Sequence, residues 1–186
     1  MRVGEGTEDR LAAYSALVTQ WSPRLDLVAP GDVVRFRQRH IEDCLRLLSL
    51  AEGCPPGAAA DVGSGAGLPG LVLAIAQPEQ LWRLFEPRSS RAAFLEEVVR
   101  ELDLANVEVL AVTAQQGAAR ADLRRGHILA VARALAPPEE SLRLLRPLLA
   151  PGGTAAVFIG KNARIPSGAE EWLDGIVIQS SVAEEA

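Results

Sequence analysis

DVGSGAGLPG, residues 61–70, joins a short apolar run to a longer one, and the fold turns on how it is read. Upstream, AAADVG (58–63) has the length and composition of a buried strand. Downstream, LPGLVLAIAQ (68–77) reads as a helix opened by Pro69, at a position where a missing N–H does no harm. A strand that passes into a helix through a glycine-rich loop is the first unit of a doubly wound parallel sheet. With no Cβ at 63, 65 and 67, a ligand can lie against the main chain, facing the N–H groups of the helix start.

Working outward, the same rhythm continues. LWRLFE (81–86) is a second strand, SRAAFLEEVVRELDL (90–104) a helix, VEVLAVT (107–113) a third strand and HILAVARAL (127–135) a fourth. PEESLRLLRPLL (138–149) is again helical, and APGG (150–153) turns into TAAVFIG (154–160), a fifth strand. The predicted class is therefore α/β, with a doubly wound, mostly parallel, Rossmann-like sheet between helix layers. Only GIVIQSS (175–181) remains as a further strand, which leaves the sheet one short of the usual seven. That shortfall predicts an exposed sheet edge or a chain lacking residues.

Residues 1–57 read as a small helical N-terminal extension, and 58–186 as one compact unit. Leu11, Tyr14, Leu17, Val18 and Trp21 recur at helical spacing, with Thr7 placed to cap. Pro23 and the PGD at 30–32 punctuate the chain, and Asp32 is placed to cap a second helix over 33–50. Val33, Phe36, His40, Cys44 and Leu48 share one face of that helix, which GCPPG (53–57) ends.

Composition sets the outer bounds. At 186 residues and 19.8 kDa, 48% hydrophobic and 23% charged, the chain supports one well-buried core and no second full domain. No uninterrupted apolar stretch reaches the roughly 18 residues of a membrane span, and MRVGEGTEDR lacks the apolar run of a signal peptide. Cys44 and Cys54 form no CxxC pair, and two histidines make a zinc site a poor fit, so reduced thiols and a cytoplasmic protein are expected. A net charge of −5 argues against a surface that grips nucleic acid everywhere, but leaves room for a local basic patch. Arg24, Arg35, Arg37 and Arg39 form one, nearly cancelled by Asp26, Asp32, Glu42 and Asp43.

Two cofactor classes fit the loop. Gly65, Gly67 and Gly70 satisfy the dinucleotide pattern GxGxxG, and Glu86 stands at the end of the second strand, where an acid hydrogen-bonds ribose hydroxyls. In the dinucleotide version the first glycine follows the strand closely. Here Asp61 precedes Gly63, Gly65 and Gly67, and it can meet the ammonium group of S-adenosylmethionine, whereas it would repel a pyrophosphate. The register favours the methyl donor.

Several motifs together resemble one bacterial family, the small-subunit ribosomal RNA methyltransferase G, also called glucose-inhibited division protein B. RHIEDCL (39–45), DVGSGAGLPG with its apolar helix and proline (61–78), Glu86 with RAAFL (91–95), LANV (104–107) and ARA (132–134) each resemble a family pattern. The resemblance spans about residues 10–160. It implies a class I, S-adenosylmethionine-dependent enzyme that methylates guanine N7 in 16S rRNA, with that RNA or the small ribosomal subunit as partner, no membrane association and a monomeric state. Gly63 and Leu68 would line the donor site, with Glu86 at the ribose. Ala114 and Gln115 would pass the adenine, and Arg133 would stand beside the reacting centre. The family's acid appears here as Gln115, its Phe-Asp as His127 and Ile128, and its lysine–glycine pair in shifted order as Gly160 and Lys161. The alternatives are an enzyme of this fold acting on a small molecule or protein, and a cofactor-binding protein without turnover.

Guanine N7 carries an in-plane lone pair and no proton, so its methylation needs positioning and no general base. No Ser-His-Asp set, carboxylate pair or metal cluster is needed, and none is apparent. Arg133 is the candidate to orient the guanine through O6 or by stacking, against the plainer role of pairing with a carboxylate. Arg39 and His40, with Arg35 and Arg37, are the candidate RNA contacts. The plainer reading makes His40 a satisfied core histidine and Arg39 a bridge to Asp43 one turn away.

Overall fold

The computed structural model describes residues 5–160 and 163–181. Helix α1 (Glu5–Leu25) buries Leu11, Tyr14 and Val18. Thr7, placed by the sequence to cap, lies inside it. The helix runs through Pro23 and stops at Asp26, whose φ of 47° reverses the chain.

The expected second helix is instead a broken series: α2 (Pro30–Val33), a π-helical turn (Arg37–Ile41), α3 (Glu42–Leu45) and α4 (Leu48–Gly53). Asp32 does not cap; it lies in the first turn of α2, behind Pro30. The π turn holds an extra residue per turn, so Ile41 is buried while His40 stays half-buried.

From Ala58 the alternation is regular: β1 (Ala58–Val62), α5 (Gly70–Ala76), β2 (Trp82–Phe85), α6 (Ser89–Glu101), β3 (Val107–Leu110), α7 (Ala114–Ala119), β4 (His127–Ala132), α8 (Pro138–Leu145) and β5 (Leu149–Phe158). Two more strands follow, β6 (Glu170–Leu173) and β7 (Ile176–Ser180). The sheet thus has seven strands in the order β3-β2-β1-β4-β5-β7-β6 and is not one short. β6 escapes a search for apolar strands because all four of its residues are exposed. It forms the sheet edge, with Trp172 40% and Leu173 38% exposed. β1 to β5 run parallel, and β7 and β6 are antiparallel additions.

Side chains alternate across the sheet. Ala60, Val62, Phe85, Ala130 and Ala132 face α7 and α8, while Ala59, Trp82, Leu129 and Val131 face α4 and α5. Helix α1 packs on α5 and α6 in the same cluster as Leu84, so the N-terminal helices and the sheet share one core. Among the described residues no helix is long and apolar enough to cross a membrane. The strand order reverses between β1 and β4, which is where open α/β sheets bind ligands, at the C-terminal ends of their strands.

Candidate functional site

Registers of the parallel strands bring the predicted residues to one edge. Val62 pairs with Phe85 and Phe85 with Leu110, so Gly63, Glu86 and the entry to α7 all follow the same rim, and Arg133 follows Ala132 across the reversal.

The glycine loop is held from behind by two acids. The Gly70 N–H donates to Asp61 Oδ2 at 3.0 Å, and the Gly65 N–H to Glu86 Oε2 at 2.9 Å. Glu86 Oε1 also accepts from the Arg88 N–H at 2.9 Å. Asp61 is completely buried, its Oδ1 has no partner among the described residues, and burial pushes its carboxyl pKa up to about 7. The carboxyl is turned to the start of α5 because an N-terminal helix N–H is the nearest donor. Glu86 stays at the loop with two backbone bonds and, as a carboxylate, further lone pairs.

Tyr14 makes the third support. Its hydroxyl, reached from α1, donates to Ala66 O at 2.7 Å in a buried setting, where burial raises its pKa and keeps it protonated. Sequence periodicity saw only an apolar helix position there. The loop needs its glycines for separate reasons. At Gly63, with φ at 73°, a Cβ would strike Leu135 Cδ1 at 2.6 Å. At Gly65, with φ at 57°, a Cβ would just fit, in van der Waals contact with Gly63 O at 3.7 Å and Arg91 Nη1 at 3.8 Å, and would occupy the space that the glycine leaves beside the main chain.

That space is a cavity of about 250 Å³. Gly63, Ser64, Gly65, Ala66 and Leu68 form one wall, and Leu27, Val28 and Ala29 an apolar opposite side. Asp32, His40, Arg91 and Arg133 supply its polar groups. A second cavity of about 380 Å³ shares the Arg133–Ala134 wall and opens toward Asp43, Arg46 and Phe158. A hollow of about 480 Å³ along α8 is larger than either, but it lies away from the strand ends and the glycine loop, so volume does not pick the site.

Arg133 occupies the junction. Its Nη2 lies 3.2 Å from Asp43 Oδ2 and donates to His40 Nδ1 at 2.9 Å, Nη1 reaches Cys44 Sγ at 3.3 Å, and the guanidinium stands 5.3 Å over the Phe158 ring. It is thus both ion-paired and aimed at the cavities. Because arginine only donates, His40 Nδ1 accepts and the ring proton sits on Nε2, 3.5 Å from Asp32 Oδ2. Burial, then the Arg133 charge, lowers the His40 pKa and keeps the ring neutral. Burial pushes the Cys44 thiol up to about 12.

Other predicted residues part company. Arg39 pairs with Asp32 rather than Asp43, because the π turn separates 39 from 43 and Asp43 is taken by Arg46 and Arg133. Arg37 pairs with Glu8. Arg35 is exposed, with no side-chain bond among the described residues. Gly67 lies behind the loop, where a Cβ would strike Leu71 Cδ1 at 2.3 Å. Ala114 is buried and Gln115 exposed in the first turn of α7, and neither lines the glycine-loop cavity. Thr113 and Gln116 form a reciprocal cap there that the sequence spells out as T-x-x-Q. Asp43, Arg91 and Phe158 are site residues that spacing alone did not single out as such, and Lys161 lies outside the described residues.

A loop bare of side chains, the cavity beside it and the Glu86 carboxylate behind it are compatible with a small bound molecule at the strand ends. Comparison with known proteins agrees. Residues 7–171 match the family described as rRNA small subunit methyltransferase G. The ribosomal RNA small subunit methyltransferase G of Acidiphilium cryptum is 42% identical, over 87% of this chain and 73% of its own. That of Paracoccus denitrificans is 35% identical, over 92% and 86%. Among solved structures, a methyltransferase from Geobacter sulfurreducens aligns with a TM-score of 0.64 at 12% identity, covering 94% of this chain and 89% of that one. A Corynebacterium glutamicum protein gives 0.63 at 17%, covering 94% and 91%; both likenesses speak for the fold alone.

Proposed function

Because the chain belongs to the rRNA small subunit methyltransferase G family, we propose that it transfers the methyl group of S-adenosylmethionine to guanine N7 of 16S rRNA. The observation that carries this reading is the glycine main chain from Gly63 to Gly65, bare of side chains, lining a cavity at the β1/β4 reversal that shares Arg133 with a second one. When bound, the donor supplies an electrophilic methyl group on a sulfonium. The backbone from Gly63 to Leu68 would hold it, and Glu86 has lone pairs left for ribose hydroxyls.

The chain's own work is positional. N7 has its lone pair ready, so no side chain need take a proton, and holding two reactants in line contributes roughly 7–11 kcal/mol in favourable systems. Arg133 is held at the wall between the cavities by Asp43, His40, Cys44 and Phe158, with both Nη groups engaged, so a base would meet its charge and its guanidinium edge at a fixed place. A rigid cation there orients a base through O6 without competing for N7. Leu27 and Val28 give the cavity an apolar part of its lining. In this reading the enzyme works as a cytoplasmic monomer, and its target base leaves its stack to enter, at a cost of about a few kcal/mol.

The test is transfer of labelled methyl to small-subunit RNA from cells lacking the protein. The expected result is one labelled guanine, cleavable after borohydride and aniline treatment as N7-methylguanine is. Label confined to protein or small molecules would defeat the reading.

A further inference from the structure

We propose that the second cavity, between α3, the end of β5 and the turn into β7, is the pocket for the guanine base, and that Asp43 and Arg133 read its edge. This rests on the methyltransferase reading above. The cavity of about 380 Å³ is of a size for small-molecule groups, and it meets the glycine-loop cavity only at Arg133 and Ala134. A base held there touches the donor side at that shared wall.

Its lining is charged in pairs. Arg133 binds Asp43 Oδ2 at 3.2 Å, Asp43 Oδ1 accepts from Arg46 Nη1 at 2.9 Å, and Arg46 Nη2 donates to the carbonyl of Asp174. Two arginines face two aspartates, so the cavity offers no net positive charge to a phosphate. It suits a neutral planar ligand with both donors and acceptors, and the half-buried Phe158 adds an aromatic surface for it to pack on.

The order of the groups selects the base. Moving away from the shared wall, the lining runs donor then acceptor, Arg133 then Asp43. Guanine presents the complement along one edge: O6 accepts, and N1–H and the 2-amino group donate. Adenine presents a donor at N6 and an acceptor at N1, which meets Arg133 and Asp43 with matching signs. With O6 on Arg133, the neighbouring N7 lies toward the donor cavity, and Asp43 keeps unused lone pairs for N1–H and the amino group.

The experiment uses the whole protein and small-subunit RNA in which the target guanosine is kept or replaced by inosine, which lacks the 2-amino group. For the wild type, kcat/KM for inosine falls about tenfold or more below that for guanosine, the worth of a hydrogen bond to a charged acceptor. Asp43→Asn brings the two substrates within about twofold of each other, with donor affinity by calorimetry still measurable, which reports a folded protein. Phe158→Leu raises KM roughly tenfold through lost packing and leaves the guanosine/inosine ratio unchanged. Should the wild type methylate guanosine while Asp43→Asn keeps the full discrimination, the pocket assignment is wrong and the activity stands. Should the wild type bind donor and methylate no guanosine, both fall.

Discussion

At Asp61, burial and hydrogen bonding place opposing demands on one carboxyl group. Burial pushes its pKa up to about 7, with nearby Glu86 adding to the rise, while the Gly70 N–H favours the charged form and holds it back. A raised carboxyl pKa means that the folded state binds the proton more tightly than the unfolded chain does. The stability it contributes is full below the unfolded value near 3.9 and is lost as pH rises through about 7. Asp61→Asn keeps an acceptor for Gly70 but cannot ionise. The difference in unfolding free energy, variant minus wild type, should therefore grow by roughly 2 kcal/mol or more between pH 4 and 8 in urea titrations. A difference independent of pH would show that Asp61 is not held in this environment. The acid itself was legible in the sequence, but its partner was not. A ligand ammonium and a helix N–H ask for the same charge at the same strand end, and only coordinates tell which one the side chain faces. Tyr14 was hidden for a related reason: periodicity reports where a ring points, not what its hydroxyl reaches 52 residues away.

At the scale of elements, the start of α5 sets a contest between propensity and space. Replacing a glycine by alanine in a helix normally gains about 0.5–1 kcal/mol. At Gly70 the new Cβ would meet Leu84 Cδ2 at 2.5 Å and both Asp61 Cβ and Oδ2 at 2.7 Å. These neighbours are buried in the sheet and α5 cannot move off them without breaking the loop, so the overlap wins. Gly70→Ala should lower stability by about 1–3 kcal/mol in the same urea titration; a stabilised variant would contradict the packing. The parallel core could be read from the sequence because its strands are short, apolar and separated by helices. Three other elements followed rules of their own. β6 has no apolar face, yet Asp174-Gly175 between it and β7 is a two-residue hairpin signal, and Gly175 takes φ 77° there, which glycine adopts without strain. Helix α7 is short and weakly apolar, but its T-x-x-Q cap announces it. The π turn at Arg37–Ile41 has no sequence signature, and with Asp43 taken by Arg46 and Arg133 it moves Arg39 from the expected Asp43 to Asp32.

For the whole molecule, the N-terminal helices are part of the core rather than an addition to it. Leu11, Tyr14, Val18, Phe36 and Ile41 are buried together with Leu71, Val72, Ile75 and Phe94. A chain beginning at Gly57 would expose the outer faces of α5 and α6 and lose the Tyr14 support of the loop. It should lose cooperative thermal unfolding and donor binding together, and a truncated chain that melts sharply and binds would mark 58–186 as an independent unit. The same dependence explains how much of the site the sequence could show. Gly63, Gly65, Leu68 and Arg133 were found because they carry local patterns, and they do line the glycine-loop cavity. Its remaining walls, Leu27 to Ala29, His40 and Arg91, come from elements that only the tertiary fold brings near.

All of this depends on the main chain at Gly65 being open for a ligand. Calorimetry with S-adenosylmethionine on the wild type and on Gly65→Ala tests it directly, since the added methyl has room in the free protein, with 3.7 Å to its nearest neighbour. Saturable one-to-one binding to the wild type, weakened about tenfold in the variant while its thermal unfolding drops only by the roughly 1–2 kcal/mol of a left-handed alanine, is the predicted outcome. No saturable heat with the wild type, or equal affinity in both proteins, would contradict it.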